Sequence, residues 1–404
     1  MTTTLFTPLK LKNGFEIKNR FMKAATSETL GSADNRPTPP LNNLYRTWAK
    51  GGTGLIITGN VMVDDTAKGE FGNVVVEDDR DLRALKNWAS SVTDNDGAIF
   101  MQLNHPGKQS PRTMSKTPVA PSVVPMEGSN AFAFNNPRAL NRSEIKDIVQ
   151  KFINAAVVAQ KAGFSGVEIH AAHGYLLNQF LSPHDNRRVD EYGGSLENRM
   201  RILEEIYLGM REKVGADFPI ALKINSSDLS ADGFSEADSI KVIQKMDQLG
   251  IDLIEISGGN YENPLVQGIG KGAFFIDYAK KIKQMIDAPI AVTGGFSTAE
   301  GMENAIDSDG TDIVGLARPL VMMPDIPNLM KAGRFHKIDL HYLSTGLKPL
   351  DKKVGSLVGL SFYQQQMDRT AHGKSTQRDT ENAWGALGFS FKRQGLSALI
   401  PQRG

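Results

Sequence analysis

Eight short apolar runs limit this chain to very few architectures. They occupy residues 21–25, 54–60, 98–105, 166–172, 220–226, 253–259, 289–295 and 312–319, with amphipathic segments of helical period between them. Near-continuous apolarity marks strands buried on both faces, and parallel strands need helical crossovers. One intervening segment, 143–162, places Ile145, Ile148, Val149, Phe152, Ile153 and Ala156 on one side, with Ser143 as expected N-cap and Gly163 as expected stop. Eight such units over roughly 320 residues predict a (β/α)₈ TIM barrel rather than an open doubly wound sheet. No Gly-x-Gly-x-x-Gly follows the first run, which argues against a dinucleotide-binding sheet.

Two further segments stand outside the repeat. Residues 9–18 alternate around Asn13-Gly14, which predicts a hairpin with a type I′ turn plugging the N-terminal end of the barrel. Residues 106–142, rich in Pro, Ser, Asn and Met, form a long loop expected to shape the mouth of a site. The pattern changes again near residue 335, dividing a barrel over 1–335 from an extension over 336–404. A helix is predicted over 357–372, and the extension is expected to dock on the barrel or to join copies of the chain in a homo-oligomer.

A net charge of +1 gives no footprint for nucleic acid or an anionic membrane. The absence of cysteine excludes disulfides, thiolate nucleophiles, iron–sulfur clusters and Cys-based zinc sites. No run approaches the length of a membrane span, and the first residues lack the basic and apolar parts of a signal peptide. A cytoplasmic protein acting on a small molecule is expected.

Barrel active sites gather at the C-terminal strand ends. The first run ends in Ala24, Ala25, Thr26 and Ser27, the second in Asn60, and the third in Gln102 to His105. The fourth delivers His170, His173 and Tyr175 within six residues, and the fifth carries Lys223. Gly294-Gly295 after the seventh, and Ala317-Arg318 after the eighth, suit a phosphate: bare backbone approaches an anion closely and a guanidinium grips it in two places. An amide such as Gln102 pairs with the pyrimidine edge of an isoalloxazine, and a cation such as Lys223 stabilises a reduced, anionic flavin. Other readings compete. Lys223 also suits a structural ion pair or a Schiff-base nucleophile. His170 and His173 also suit a metal-dependent hydrolase, with His105 or Asp185 as third ligand, although the first and fifth strand ends bring Ser27 and Lys223 rather than carboxylates.

These residues carry a resemblance. Asn19-Arg20, Gln102-Leu-Asn-His105-Pro-Gly107, the segment 166–201 and Gly294-Gly295 with Arg318 resemble the Old Yellow Enzyme family of FMN-dependent ene-reductases over residues 5–335. The resemblance implies non-covalent FMN reduced by NADH or NADPH and reoxidised by an activated alkene. It implies that Ala24, Ala25, Thr26, Ser27, Asn60, Gln102, Lys223, Gly294, Gly295, Ala317 and Arg318 hold FMN. His170 and His173 would hold the substrate oxygen, and Tyr175 would protonate the α-carbon. Thr29 falls where some members place a substrate-contacting Tyr, Ser27 where relatives carry Thr or Cys, and Lys223 where many carry Arg. Relatives of this kind also include FMN oxidoreductases acting on other substrates, such as demethylases and dienoyl-thioester reductases.

Overall fold

A computed structural model describes residues 3–128, 131–258, 275–340, 343–377 and 383–394. The eight runs are all strands: β1 (Phe21–Lys23), β2 (Leu55–Ile57), β3 (Ala98–Asn104), β4 (Gly166–Ala171), β5 (Ile220–Asn225), β6 (Leu253–Ser257), β7 (Ile290–Thr293) and β8 (Ile313–Leu316). Each pairs in parallel with the next, β8 pairs with β1, and the sheet closes into a (β/α)₈ barrel. The expected sixth run extends to Gly259, which lies outside the described residues.

Side chains alternate across a strand, so every second residue faces the barrel axis. The lowest inward positions, Met22, Leu55, Phe100, Ala221, Leu253, Ala291 and Ile313, form a dry cluster. One step higher the inward positions turn polar: Gln102, Glu168, Lys223, Glu255 and Thr293. Above them sit His170, Asn225 and Ser257. The strands thus write a gradient from oil to chemistry.

Leu9–Lys10 and Glu16–Ile17 form the expected hairpin, and its Leu11 and Ile17 join the dry cluster. Phe15 meets Phe100 with ring centroids 6.2 Å apart. The N-terminal end of the barrel is therefore plugged. The turn differs from expectation. Asn13 does not take a positive φ, whereas Gly14 sits at +90°, its N–H donates to Leu11 O, and Leu11 N–H donates to Phe15 O. That is a three-residue loop with a left-handed glycine, the alternative use of Asn-Gly.

The helices α1 (Pro39–Lys50), α2 (Leu82–Thr93) and α3 (Arg142–Lys161) cover the outside of the first strands. Helix α3 begins one residue before Ser143, and its cap is Asn141. Asn141 accepts from Glu144 N–H while Glu144 reaches back to Asn141 N–H, a reciprocal pair that Ser143 cannot make. After β4 come α4 (Leu176–Leu181) and α5 (Leu196–Val214), then α6 (Glu236–Leu249), α7 (Ile276–Lys283), α8 (Ala299–Asp307), α9 (Arg318–Met322) and α10 (Ile326–Lys331).

The extension holds α11 (Lys348–Ala371), longer at its start than the predicted 357–372, and α12 (Ala383–Gln394). Helix α11 lies against α1 and α9. Asn43 donates to Ala371 O at 3.4 Å, Thr376 to Met322 O at 2.8 Å, and Arg393 to Thr29 O. No helix among the described residues is long and apolar enough to cross a membrane.

Candidate active site

The inward parity of β4 delivers Glu168 and His170 to the interior, both buried. His170 Nδ1 accepts the N–H of Ala172 at 3.2 Å, which assigns the ring proton to Nε2. The chain then turns through His173 at φ 63° and Gly174 at φ 75°. A left-handed residue other than glycine is strained and persists only where its surroundings hold it. Here four amides do so. His173 N–H donates to Asn225 Oδ1 at 3.2 Å and Gly174 N–H to Asn178 Oδ1 at 2.6 Å. Gln109 and Gln179 donate to the carbonyls of His173 and Gly174 at 3.0 and 2.7 Å.

The turn brings three rings together. His170 makes edge contacts with His173 and Tyr175, at centroid separations of 5.1 and 5.0 Å. His173 Nε2 lies 2.7 Å from Ser257 Oγ. Tyr175 caps α4 and is buried under Met126, Ala133 and Phe134 of the long loop after β3. That loop shapes the site as expected.

Ala25, Thr26, Ser27, Asn60, Gln102, His170, His173, Tyr175 and Lys223 line one cleft. Ala24 is fully buried and belongs to the dry cluster beneath it. Gly294 and Gly295 take φ values of 119° and 84°, which favour glycine, and lead into α8, capped by Thr298. Ala317 precedes Arg318, the first residue of α9, and Tyr363 of the extension stands within hydrogen-bond reach of the Arg318 guanidinium. Thr29 is not in the cleft. At φ 54° its hydroxyl turns back to Glu28 O, and it lines a neighbouring hollow with Asn60, Gly72 and Trp88.

Two carboxyls went unnoticed in the sequence. Glu255 Oε1 lies 2.7 Å from Lys223 Nζ and accepts from Thr293 Oγ1 at 2.7 Å, while Glu168 Oε1 accepts from Gln102 Nε2 at 2.6 Å. The ion pair weighed for Lys223 is therefore present, and Lys223 still lines the cleft. Burial and the neighbouring Glu255 hold Glu168 far above the usual carboxylate range, whereas for Glu255 the burial penalty is overcome by Lys223 together with hydrogen bonds from Glu168 and Thr293, which lower it. Lys23, packed 4.5 Å over Trp48, donates to Ala24 O and Thr26 Oγ1, and burial pushes it down to about 7. The suggested third metal ligands stand elsewhere: His105 lines a separate cleft and Asp185 pairs with Lys108 at 2.7 Å. Among the described residues no group of three His, Asp or Glu is placed to hold a metal.

With this geometry in view, comparison with known proteins is decisive. The model of the NADH:flavin oxidoreductase / NADH oxidase family matches residues 4–337. The chain belongs to that family. The NADH-dependent flavin oxidoreductase iliE of Neonectria sp. (strain DH2) is 38% identical over 352 residues, covering 79% of this chain and 46% of that protein. The protein of the same name from Hypocrea jecorina (strain QM6a) is 37% identical, covering 79% of this chain and 87% of its own length. The structure of an old yellow enzyme homologue from Zymomonas mobilis superposes with a TM-score of 0.73 at 26% identity, covering 83% of this chain and 95% of that one. The family model's match, residues 4–337, stops short of α11 and α12.

This flavin oxidoreductase family brings FMN as cofactor and a nicotinamide as reductant. The residues present fit FMN. Ser27 Oγ is buried without a hydrogen-bond partner and belongs to a cleft-lining side chain. A hydroxyl left so needs an acceptor or donor from outside the protein. The left-handed Gly294-Gly295 pair follows β7 and Arg318 follows its neighbour β8, two strand ends whose residue types suit a phosphate.

Proposed function

We propose that this chain reduces activated C=C bonds, in α,β-unsaturated carbonyls and nitro compounds, at the expense of NADH or NADPH. FMN, when bound, would supply the hydride chemistry that links the nicotinamide to the alkene. Gln102, Lys223, Ser27, Asn60 and the backbone from Ala24 to Thr26 would hold the ring system. Gly294, Gly295, Ala317 and Arg318 would hold the phosphate.

His170, His173 and Tyr175 would divide the remaining work. The Nε2–H of His170 and the ring of His173 would donate to the substrate oxygen, where negative charge grows as hydride arrives, and preorganised donors stabilise growing charge best. Tyr175 would give its phenolic proton to the α-carbon, a task suited to a neutral acid within reach of an enolate-like carbon. Its burial under Met126 and Phe134 keeps bulk water from competing.

One observation carries this reading: His170 touches both His173 and Tyr175 in a cleft also lined by Gln102, Lys223 and Ser27. The test separates the half-reactions in Tyr175→Phe. Flavin reduction by NAD(P)H should persist, while reoxidation by an enone slows by about two to four orders of magnitude. Unchanged reoxidation would remove Tyr175 as the acid.

A further inference from the structure

The polar layer beneath the cleft holds an imbalance that only a proton resolves. Glu168 and Glu255 project inward from β4 and β6, the two strands that flank β5 and its Lys223. Both are fully buried. One oxygen of each is satisfied, Glu168 Oε1 by Gln102 and Glu255 Oε1 by Lys223 and Thr293. The other oxygen of each, Oε2, is buried without a donor among the described residues, and the two carboxyls lie within hydrogen-bond reach of one another. Two ionised carboxylates so placed would repel, and the one ammonium between them cannot neutralise both.

We propose that Glu168 and Glu255 share a single proton, carried by Glu168, and that this pair positions Gln102 and neutralises Lys223 beneath the flavin. Every donor and acceptor in the layer then agrees. Lys223 and Thr293 donate to Glu255 Oε1, the Glu168 acid donates to Glu255 Oε2, and Gln102 donates to Glu168 Oε1. The direction of the last bond turns the carbonyl of Gln102 away from Glu168, leaving an acceptor for an N–H of the pyrimidine edge. The three side chains together carry no net charge, one ammonium, one carboxylate and one neutral acid, with Lys23 and Glu28 the charged groups next to them. Lys223 therefore acts on the flavin as one end of a dipole rather than as a free cation. Both glutamates are positioning residues, working through Lys223 and Gln102, and the inference rests on FMN occupying this cleft.

The test reads the reduction potential of bound FMN, with no alkene present, so failure of the proposed substrate class would leave it intact. Glu255→Gln removes the one carboxylate charge of the three and frees the cation. It should favour reduced over oxidised FMN by about tenfold, a rise of about 30 mV for a two-electron couple. Glu168→Gln replaces a neutral acid by a neutral amide and should leave the potential where it is. Infrared spectra of the holoenzyme at pH 8 should contain a protonated-carboxyl stretch that Glu168→Gln removes, although an ordinary glutamic acid, with a pKa of about 4.3, is ionised there. Glu168→Asp should shift that stretch, which keeps the measurement informative if the amide variant does not fold. Equal rises in potential for both glutamine variants, or no protonated-carboxyl stretch that responds to residue 168, would overturn the proposal.

Discussion

The backbone N–H of His173 donates to Asn225 Oδ1 at 3.2 Å, so the end of β5 dictates where the end of β4 points its second imidazole. Asn225 is fully buried, and its Nδ2 also reaches Asn178 Oδ1 and Asp228 Oδ1, both at 3.2 Å. Replacing it frees a left-handed turn and strands a buried donor.

Asn225→Ala should therefore cost about 1–3 kcal/mol of stability. It should also weaken binding of a phenolic ligand more than it slows flavin reduction, because the ligand depends on the position of His173. Urea unfolding and titration of the ligand-induced absorbance band measure the two effects. A variant that binds phenol as tightly as the parent would detach Asn225 from the site.

Ser27→Ala separates a flavin contact from a structural one. The hydroxyl has no partner among the described residues, so its loss should leave the apoprotein as stable as before, within about 0.5 kcal/mol. FMN affinity should fall by about three- to tenfold, the value of one hydrogen bond. Thermal melts of apoprotein and a fluorescence titration with FMN provide both numbers. A destabilised apoprotein would mean that Ser27 serves the fold instead.

Tyr363→Phe tests whether the extension belongs to the cofactor site. Its hydroxyl stands beside Arg318, which would hold the phosphate. FMN should bind about three- to tenfold more weakly, while riboflavin, lacking the phosphate, should not change. Equal losses for the two ligands would place the effect outside the phosphate.

Glu70 makes stability depend on pH. Burial, with Glu28 nearby, raises its carboxyl to about 8, and Gln364 of α11 donates to it at 3.4 Å. Because the folded value lies above the unfolded one, the unfolded chain loses this proton first. The contribution of Glu70 is thus full below about pH 4.5 and shrinks as pH climbs toward 8. Measured against Glu70→Gln, the parent should lose relative stability across that window, at up to about 1.4 kcal/mol per pH unit. A flat difference would mean an ordinary carboxyl.

Much of this was legible in the sequence for one reason: parallel strands buried on both faces write themselves as apolar runs. The cleft was legible because strand ends converge, so His170, Lys223, Gln102 and Ser27 could be brought together without knowing a single angle. Local chemistry with two solutions was not settled. Asn13-Gly14 serves two turn types, and Asn141 and Ser143 are both good caps until Glu144 chooses between them. Glu168 and Glu255 sat in plain view inside apolar strands, at the same parity as His170 and Ser257, and that parity was the signal to use. Thr29 lies only two residues past Ser27, yet a left-handed φ sends it into another hollow. The bond from Arg393 to Thr29 O spans 364 residues, and no local pattern announces such a pairing.

The hairpin at the bottom of the barrel has a kinetic meaning. With Leu11, Phe15 and Ile17 stoppering one end, the described residues open the interior at the other, over His170 and Tyr175. If the proposed function holds, electron donor and electron acceptor would use that opening in turn, each leaving before the other enters. Steady-state plots at varied concentrations of both should give parallel lines, the signature of a ping-pong cycle.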